Sequence, residues 1–435
     1  LAALCGAKTL LGSATPSVES YFNAATGKYG LVTLAERYGG AVLPSVIVSD
    51  TLRAAKRGEK RSHFNKVLLD RIGEALQAGS QAILFQNRRG FSPYVECGHC
   101  GWTANCPDCN VSLTYHKSDG SLRCHYCGYR IPVPAVCPSC GTGSLLPRGF
   151  GTEKIEQELA AIFPEAAIDR LDADTSQSAG GYRRIVEAFE QGRTDILIGT
   201  QIVTKGFDFG GVSLVGILNA DNLLNYPDFR AGERAFQLMT QVGGRAGRRS
   251  EPGTVVIQTA QPQHPVIEQV LRGDYGAMVR SQLAERRAFF YPPYCRLIAV
   301  VMRHRDKELL WRAAGAFAES AREVFGRRLL GPEAPPVDRI RGRFLVRFLL
   351  KIERRSPSAE AKRLLQELFG RLHARAEFRS VEVAADVDPM NALAAGRPVL
   401  PRRSVRTERC LRNGAGMFAE PGFPDRMSGR EAHGS

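Results

Sequence analysis

Eight of the chain's eleven cysteines form four C-x2-C pairs crowded into one short stretch: Cys97 and Cys100, Cys106 and Cys109, Cys124 and Cys127, Cys137 and Cys140. Two tetrahedral zinc sites with four cysteine ligands each require that number of thiolates. A C-x2-C turn presents both sulfurs on one side of a tight knuckle. Gly101, Gly128 and Gly141, directly after three of the pairs, supply the positive φ that such a turn tends to need. A redox role would place one pair at the start of a helix in a thioredoxin-like unit, not four in succession. His99 and His125 lie inside the knuckles, but eight cysteines already fill two sites, so both are expected at the surface. Four thiolates leave no open coordination position, so the expected ions are not catalytic. So short a stretch cannot bury a large core, and metal binding, on the order of 10 kcal/mol per structural site, then supplies most of its folding free energy. Spacing alone admits three ways of combining the pairs. Reduced thiols in this arrangement point to a cytoplasmic location rather than a secreted disulfide framework.

The whole chain is too long, at 435 residues, for one core, so two to four compact units are expected. No apolar run approaches the roughly 20 residues of a bilayer-spanning helix, so no membrane partner is expected. Leu1 opens the chain without a Met and without a leader pattern, which reads as a truncation. The formal charge of +15 suits a polyanionic partner such as DNA, against the plainer reading of a solvated basic surface.

Along the chain, apolar runs alternate with helical spacing. Lys8 to Thr15 reads as a strand and turn, with Thr15 capping a helix whose first position is Pro16. Phe64 to Ala78 has helical spacing (Val67, Leu68, Ile72, Leu76), Gly79 ends it, and Gln81 to Phe85 reads as a buried strand. Further strands are predicted over 167–171, 195–199, 214–218 and 254–258, with helices over 153–162 and 182–191. This is the pattern of an open parallel α/β sheet covered on both faces. The Cys-rich stretch interrupts it as an insertion. After Tyr291-Pro292-Pro293-Tyr294, strands over 297–302 and 344–352 and helices over 309–324 and 358–374 indicate a small α+β domain. Residues 394–435, rich in Arg, Gly and Pro and without an apolar period, are expected to be disordered.

Gln241-Val242-Gly243-Gly244-Arg245-Ala246-Gly247-Arg248 follows a helical run over 232–239. Two Arg residues three positions apart project from one face of a helix or from its end, where guanidinium groups can meet a γ-phosphate. Other segments join this one: Leu11 to Ser17, Asn87-Arg88-Arg89-Gly90, Gly151-Thr152-Glu153, Asp172 to Thr175, Ile198-Gly199-Thr200-Gln201 with Lys205-Gly206, Asp221, and Pro227 to Arg234. With these and the four cysteine pairs, the chain from Leu1 to about Leu393 resembles the superfamily 2 helicases, and among them the primosomal replication-restart helicases. Tyr291 to Tyr294, Leu330-Gly331-Pro332 and Asp386 to Pro389 resemble that family's last domain.

The resemblance implies a RecA-like helicase lobe with a parallel sheet, an inserted two-zinc module and a small α+β C-terminal domain. It divides the chain into the end of lobe 1 (1–40), lobe 2 (41–95 and 145–284), the zinc-binding insertion (96–144), the C-terminal domain (285–393) and a tail (394–435). It implies that Gln241, Arg245 and Arg248 are catalytic. It also implies that Ser13 and Thr15, with Thr200, Gln201, Lys205 and Gly206, couple nucleotide to DNA, the last four at the carboxyl end of a parallel strand. The plainer readings are helix capping for Thr15 and a solvated loop for Lys205. Asp172 and Asp174 read as turn caps, and Arg88 and Arg89 as phosphate contacts or packing ion pairs. The family pairing of zinc ligands is nested: Cys97, Cys100, Cys137 and Cys140 share one Zn²⁺, and the inner pairs share the other. Forked and single-stranded DNA, primosome proteins and single-stranded DNA-binding protein are the implied partners, and ATP with Mg²⁺ the implied cofactors of the full-length enzyme. The 435 residues contain no G-x-x-x-x-G-K-[ST] string and no Asp-Glu pair after a strand to hold Mg²⁺, so the chain alone is expected to be inactive. The alternative is a zinc-stabilised binding scaffold without ATPase activity.

Overall fold

A computed structural model describes residues 2, 4–34, 44–86, 94–109, 111–116, 119–124, 127–148, 152–171, 179–200, 209–246, 252–354 and 358–391. The chain divides into two units, one of residues 1–35 with 397–435, the other of residues 36–396. In the first, the predicted strand does not form: residues 8–13 have no regular structure. The helix, α1, is Val18–Ala25, and its N-cap is Ser17 rather than Thr15. Ser17 is extended and its side chain accepts from the Ser20 amide, three residues into the helix, as capping geometry requires.

In the second unit the elements run β1 (Ser45–Asp50), α2 (Lys66–Gln77), β2 (Gln81–Phe85), β3 (Tyr94–Cys97), β4 (Thr114–His116), β5 (Ser121–Arg123), β6 (Arg130–Pro132) and β7 (Leu145–Arg148). They continue with α3 (Thr152–Ile162), β8 (Ile168–Leu171), α4 (Ala179–Glu190), β9 (Ile196–Gly199), β10 (Val212–Ile217), α5 (Ala231–Gly243) and β11 (Thr254–Thr259). The last are α6 (Pro265–Arg272), α7 (Tyr275–Ala288), β12 (Cys295–His304), α8 (Lys307–Phe325), β13 (Leu329–Glu333), β14 (Arg343–Glu353), α9 (Ser358–Ala374) and β15 (Glu382–Val387).

Six strands make one parallel sheet in the order β1-β11-β10-β2-β9-β8. Its central strands are mostly apolar because helices cover both faces; every residue of β2 is buried. Below it α2 contributes Leu68 and Ile72 and α3 contributes Ile155 and Leu159 to a core with Ile196, Leu214 and Val256. Gly216 in β10 permits the close approach of α2, since a Cβ there would lie 2.6 Å from Leu84 and 2.9 Å from Leu68.

The insertion leaves the sheet after β2 and returns before α3. Its first and last strands, β3 and β7, pair antiparallel from Tyr94 opposite Arg148 to Cys97 opposite Leu145, and β4, β5 and β6 form a small antiparallel sheet within it. Beyond α6 and α7, which the periodicity did not reveal, an antiparallel sheet in the order β13-β14-β12-β15 packs against α8 and α9 through Phe317, Phe348, Val300 and Leu365. Among the described residues, no helix is long and apolar enough to cross a membrane.

Candidate functional site: two cysteine clusters and the motor-motif helix

Three of the C-x2-C pairs close a knuckle by a backbone bond that brings their sulfurs together. The Gly101, Gly128 and Gly141 amides donate to the carbonyls of Cys97, Cys124 and Cys137 at 2.9, 3.0 and 2.8 Å, with φ of 75°, 83° and 73° at the three glycines. The eight sulfurs gather into two groups, Cys97, Cys100, Cys137 and Cys140 in one and Cys106, Cys109, Cys124 and Cys127 in the other, each within 4.8 Å of one another. This is the nested combination among the three that spacing leaves open. Sulfur separations are 3.6 Å (Cys97 to Cys140), 3.7 Å (Cys100 to Cys137) and 3.6 Å (Cys106 to Cys127). A tetrahedron with Zn–S of about 2.3 Å has edges of about 3.8 Å, so the spacing fits a zinc ion. His99 is exposed and belongs to neither group, and His125 lies outside the described residues.

The donor chemistry fits the same metal. In the outer group burial raises the Cys97 thiol, but the Thr142 hydroxyl at 3.5 Å and the amides of Cys100 and His99 outweigh it and hold it down to about 6. Thr142 also lies 3.2 Å from Cys140, so one hydroxyl serves two sulfurs. In the inner group, hydrogen bonds led by Cys106 push the Cys127 thiol well below its ordinary range and the Cys109 thiol well above it. Four crowded sulfurs cannot all ionise by themselves. A dication removes that conflict by holding all four as thiolates.

The inner group forms part of a core. Cys106, Cys109 and Cys124 pack with Val111, Leu113, Phe229, Tyr291, Leu297 and Leu349, drawn from the insertion, the segment before α5 and the C-terminal domain. Tyr291 Oη donates to the Cys109 carbonyl at 3.1 Å, and its ring stacks on Phe229 with centroids 4.3 Å apart and planes 2° from parallel. The Lys351 ammonium lies 3.8 Å from the Tyr291 centroid and the Arg230 guanidinium 4.3 Å from that of Phe229. Four layers thus alternate cation, ring, ring and cation.

The same junction anchors the motor-motif helix. The first turn of α5 carries Glu233, which pairs with Arg286 of α7 at 2.5 Å, both side chains almost wholly buried. Arg230 donates to the Pro389 carbonyl at 3.3 Å and Arg234 to that of Met390. Asp221 ties the strand ends above, accepting from Thr259 Oγ1 at 2.7 Å and from the Ala260 amide at 2.8 Å. None of these partnerships was legible in the sequence: the Glu233–Arg286 pair spans 53 positions and leaves no periodic mark.

The expected motor residues fall as follows. The helix runs past Met239 to Gly243, so Gln241 is in its last turn and exposed, while Arg245 is half-buried in the turn just beyond, its amide donating to the Val242 carbonyl at 3.0 Å. Thr200 directly follows β9 at its carboxyl end, and its amide donates to the Leu171 carbonyl at 3.4 Å. Ser13 and Thr15 are in the first unit, where Ser13 Oγ accepts from the Thr15 amide at 3.1 Å. Gln201, Lys205, Gly206 and Arg248 lie outside the described residues, as do Arg88, Arg89, Asp172 and Asp174.

Comparison with known proteins gives the class first. Residues 151–250 match the helicase conserved C-terminal domain, in agreement with the parallel sheet and its motif helix. Residues 106–132 match the PriA DNA helicase Cys-rich region (CRR) domain, and residues 287–390 the primosomal protein N C-terminal domain. The replication restart protein PriA of Bacillus subtilis is 38% identical over 382 residues, which cover 87% of this chain and 47% of that protein. Those of Treponema pallidum (40% over 389 residues, 88% and 57%) and Haemophilus influenzae (37% over 387 residues, 88% and 51%) are similar to the same extent. The chain belongs to the PriA family. It spans about half the length of the curated relatives it matches.

Proposed function

We propose that this chain forms the second motor lobe, zinc module and C-terminal domain of an ATP-dependent 3′→5′ DNA helicase that recognises forked DNA and restarts replication by assembling a primosome. The observation that carries the reading is α5. Its amino end is locked by the buried Glu233–Arg286 pair, and its carboxyl end bears Gln241 and Arg245, with Arg248 three residues on. A helix held rigidly at one end suits the delivery of guanidinium groups to a γ-phosphate from the other. Thr200, Gln201, Lys205 and Gly206, at and beyond the carboxyl end of β9, touch DNA and nucleotide in this reading, and Ser13 and Thr15 transmit nucleotide state from lobe 1. The zinc ions hold structure. Segments 1–40, 41–95 with 145–284, 96–144, 285–393 and 394–435 are assigned to lobe 1, lobe 2, insertion, C-terminal domain and tail. Single-stranded DNA-binding protein and primosome proteins are the partners that this role calls for.

Phosphoryl transfer needs a loop that cradles the phosphates, a Mg²⁺ ligand and a charge-stabilising arginine in one cleft, and this sequence supplies the third. A steady-state assay should therefore find no DNA-stimulated ATP hydrolysis by residues 1–435. Fusion to a PriA-type first lobe should restore it, and Arg245→Ala in the fusion should lower turnover by about 10³-fold with both zinc ions retained. DNA-dependent turnover by the chain alone would mean that its nucleotide site lies elsewhere. A fusion that binds ATP and DNA without turnover would favour the scaffold reading.

A further inference from the structure

A cavity of about 310 Å³ opens where the insertion, the motor lobe and α7 meet. It lies beyond the carboxyl ends of the neighbouring parallel strands β10 and β11, the side on which open α/β sheets bind ligands. Its size is that of a small-molecule site. Val111, Leu224 and Val266 give it an apolar wall, and the remaining surface is mostly polar.

Three side-chain amides on this lining are incompletely bonded. Asn225 is 6% exposed; its Oδ1 accepts from Thr103 Oγ1 at 3.2 Å, but its Nδ2 has no partner among the described residues. Gln282 is 4% exposed; its Nε2 donates to Glu285 at 3.2 Å, and its Oε1 has no partner among them. Gln261 Nε2 is likewise without one. Buried amides are ordinarily satisfied, so two donors and an acceptor left open around one cavity ask for a ligand that offers both kinds of group.

The charges on the lining narrow the choice. Glu285 contributes a carboxylate, that of Asp228 is paired with Arg234 at 3.6 Å, and among the described residues no Lys or Arg lines the cavity, so the lining offers a phosphate no cation. What fits is an uncharged planar group with acceptors and donors along its edge. We propose that this cavity binds a single nucleobase, edge-on to the amides of Asn225, Gln261 and Gln282, with its sugar and phosphate left outside. In a protein that moves on single-stranded DNA, such a site would grip a base swung out of the stack. The inference rests on the DNA-binding reading above.

The test compares the 435-residue chain's affinity for oligodeoxythymidylate and for an abasic strand of equal length and charge, at fixed salt, by fluorescence anisotropy. The base-bearing strand should bind about tenfold more tightly, the worth of one or two hydrogen bonds. Gln282→Met, which keeps volume and removes the acceptor, should bring that ratio close to one while leaving abasic affinity unchanged. Zinc content and thermal melting check that the variant is folded. Should it not fold, photo-crosslinking of 4-thiothymidine DNA to the unaltered chain decides: attachment to residues lining the cavity, in the segments around Thr103, Asn225, Gln261 or Gln282, supports the site, and attachment only elsewhere overturns it. Calorimetry with thymidine separates the sources of the base, since saturable heat abolished by Gln282→Met indicates a free nucleoside and its absence beside a tenfold strand preference indicates a strand. Equal affinity for both strands overturns the inference and leaves DNA binding standing, whereas binding to neither overturns both.

Discussion

In the outer cysteine cluster Cys97 and Cys137 are buried, Cys140 is half-buried and Cys100 is exposed, whereas in the inner one Cys127 is half-buried and Cys106, Cys109 and Cys124, 2% exposed or less, join an apolar core with Phe229, Tyr291 and Leu349. The ligand sets are identical, so the difference lies in the surroundings. Outer sulfurs pin the base of the insertion, where β3 and β7 enter and leave. Inner sulfurs form one wall of the joint between motor lobe and C-terminal domain. Two sites with the same metal chemistry can therefore have different reach: the inner one should hold together more of the protein than its own loop.

The largest effect should come from removing one ligand on each side. Cys109→Ser and Cys100→Ser should each reduce zinc from two ions to one by elemental analysis. Only the inner change should withdraw metal-linked free energy, on the order of 10 kcal/mol, from the joint, and calorimetry should then show the motor lobe and C-terminal domain melting separately. Equal losses in the two variants would erase the distinction. A smaller effect should follow from Arg286→Met, which takes the paired guanidinium from the buried carboxylate of Glu233. Urea denaturation should show a loss of about 3–5 kcal/mol with both zinc ions kept, and Glu233→Leu added to it should recover much of the loss. The smallest concerns the outer knuckles. Gly101→Ala and Gly141→Ala both force an L-residue to positive φ, at about 1–2 kcal/mol. A Cβ at 101 would also lie 2.7 Å from the Ala260 carbonyl of the motor lobe, while one at 141 meets nothing within 4 Å. Gly101→Ala should thus melt lower than Gly141→Ala; the same melting temperature would show that the outer cluster is mechanically independent of the lobe.

The contrast also marks what a sequence can convey. Cysteine number and the glycines behind the pairs are local, and they foretold two four-thiolate sites. Buried strands such as Gln81–Phe85 and Ile196–Gly199 were legible because helices on both faces bury every residue of them and leave them mostly apolar. β1 was missed: Ser45–Asp50 lies at the edge of the sheet and mixes polar with apolar residues. α7 was missed because Arg280, Glu285, Arg286 and Arg287 dilute its apolar stripe, although Arg286 is itself interior. The strand expected over Lys8 to Thr15 failed for want of any pairing neighbour among the described residues of its unit. A strand is a partnership, and apolar character alone does not supply the partner. The stack of Arg230, Phe229, Tyr291 and Lys351 joins residues far apart in the chain, so no window of sequence contains it.

The pairing of β3 with β7 has a further consequence. Antiparallel neighbours lie about 5 Å apart, so the insertion departs and returns at nearly one point, and the sheet around it is connected as if by a short turn. Such a segment is easy for a lineage to acquire, because splicing it in disturbs no strand order. Losing it again is another matter. Tyr291, Leu297 and Leu349 now rest against its inner half, and a chain that discarded it would expose them to water. The segment is therefore held in place by its packing rather than by its topology.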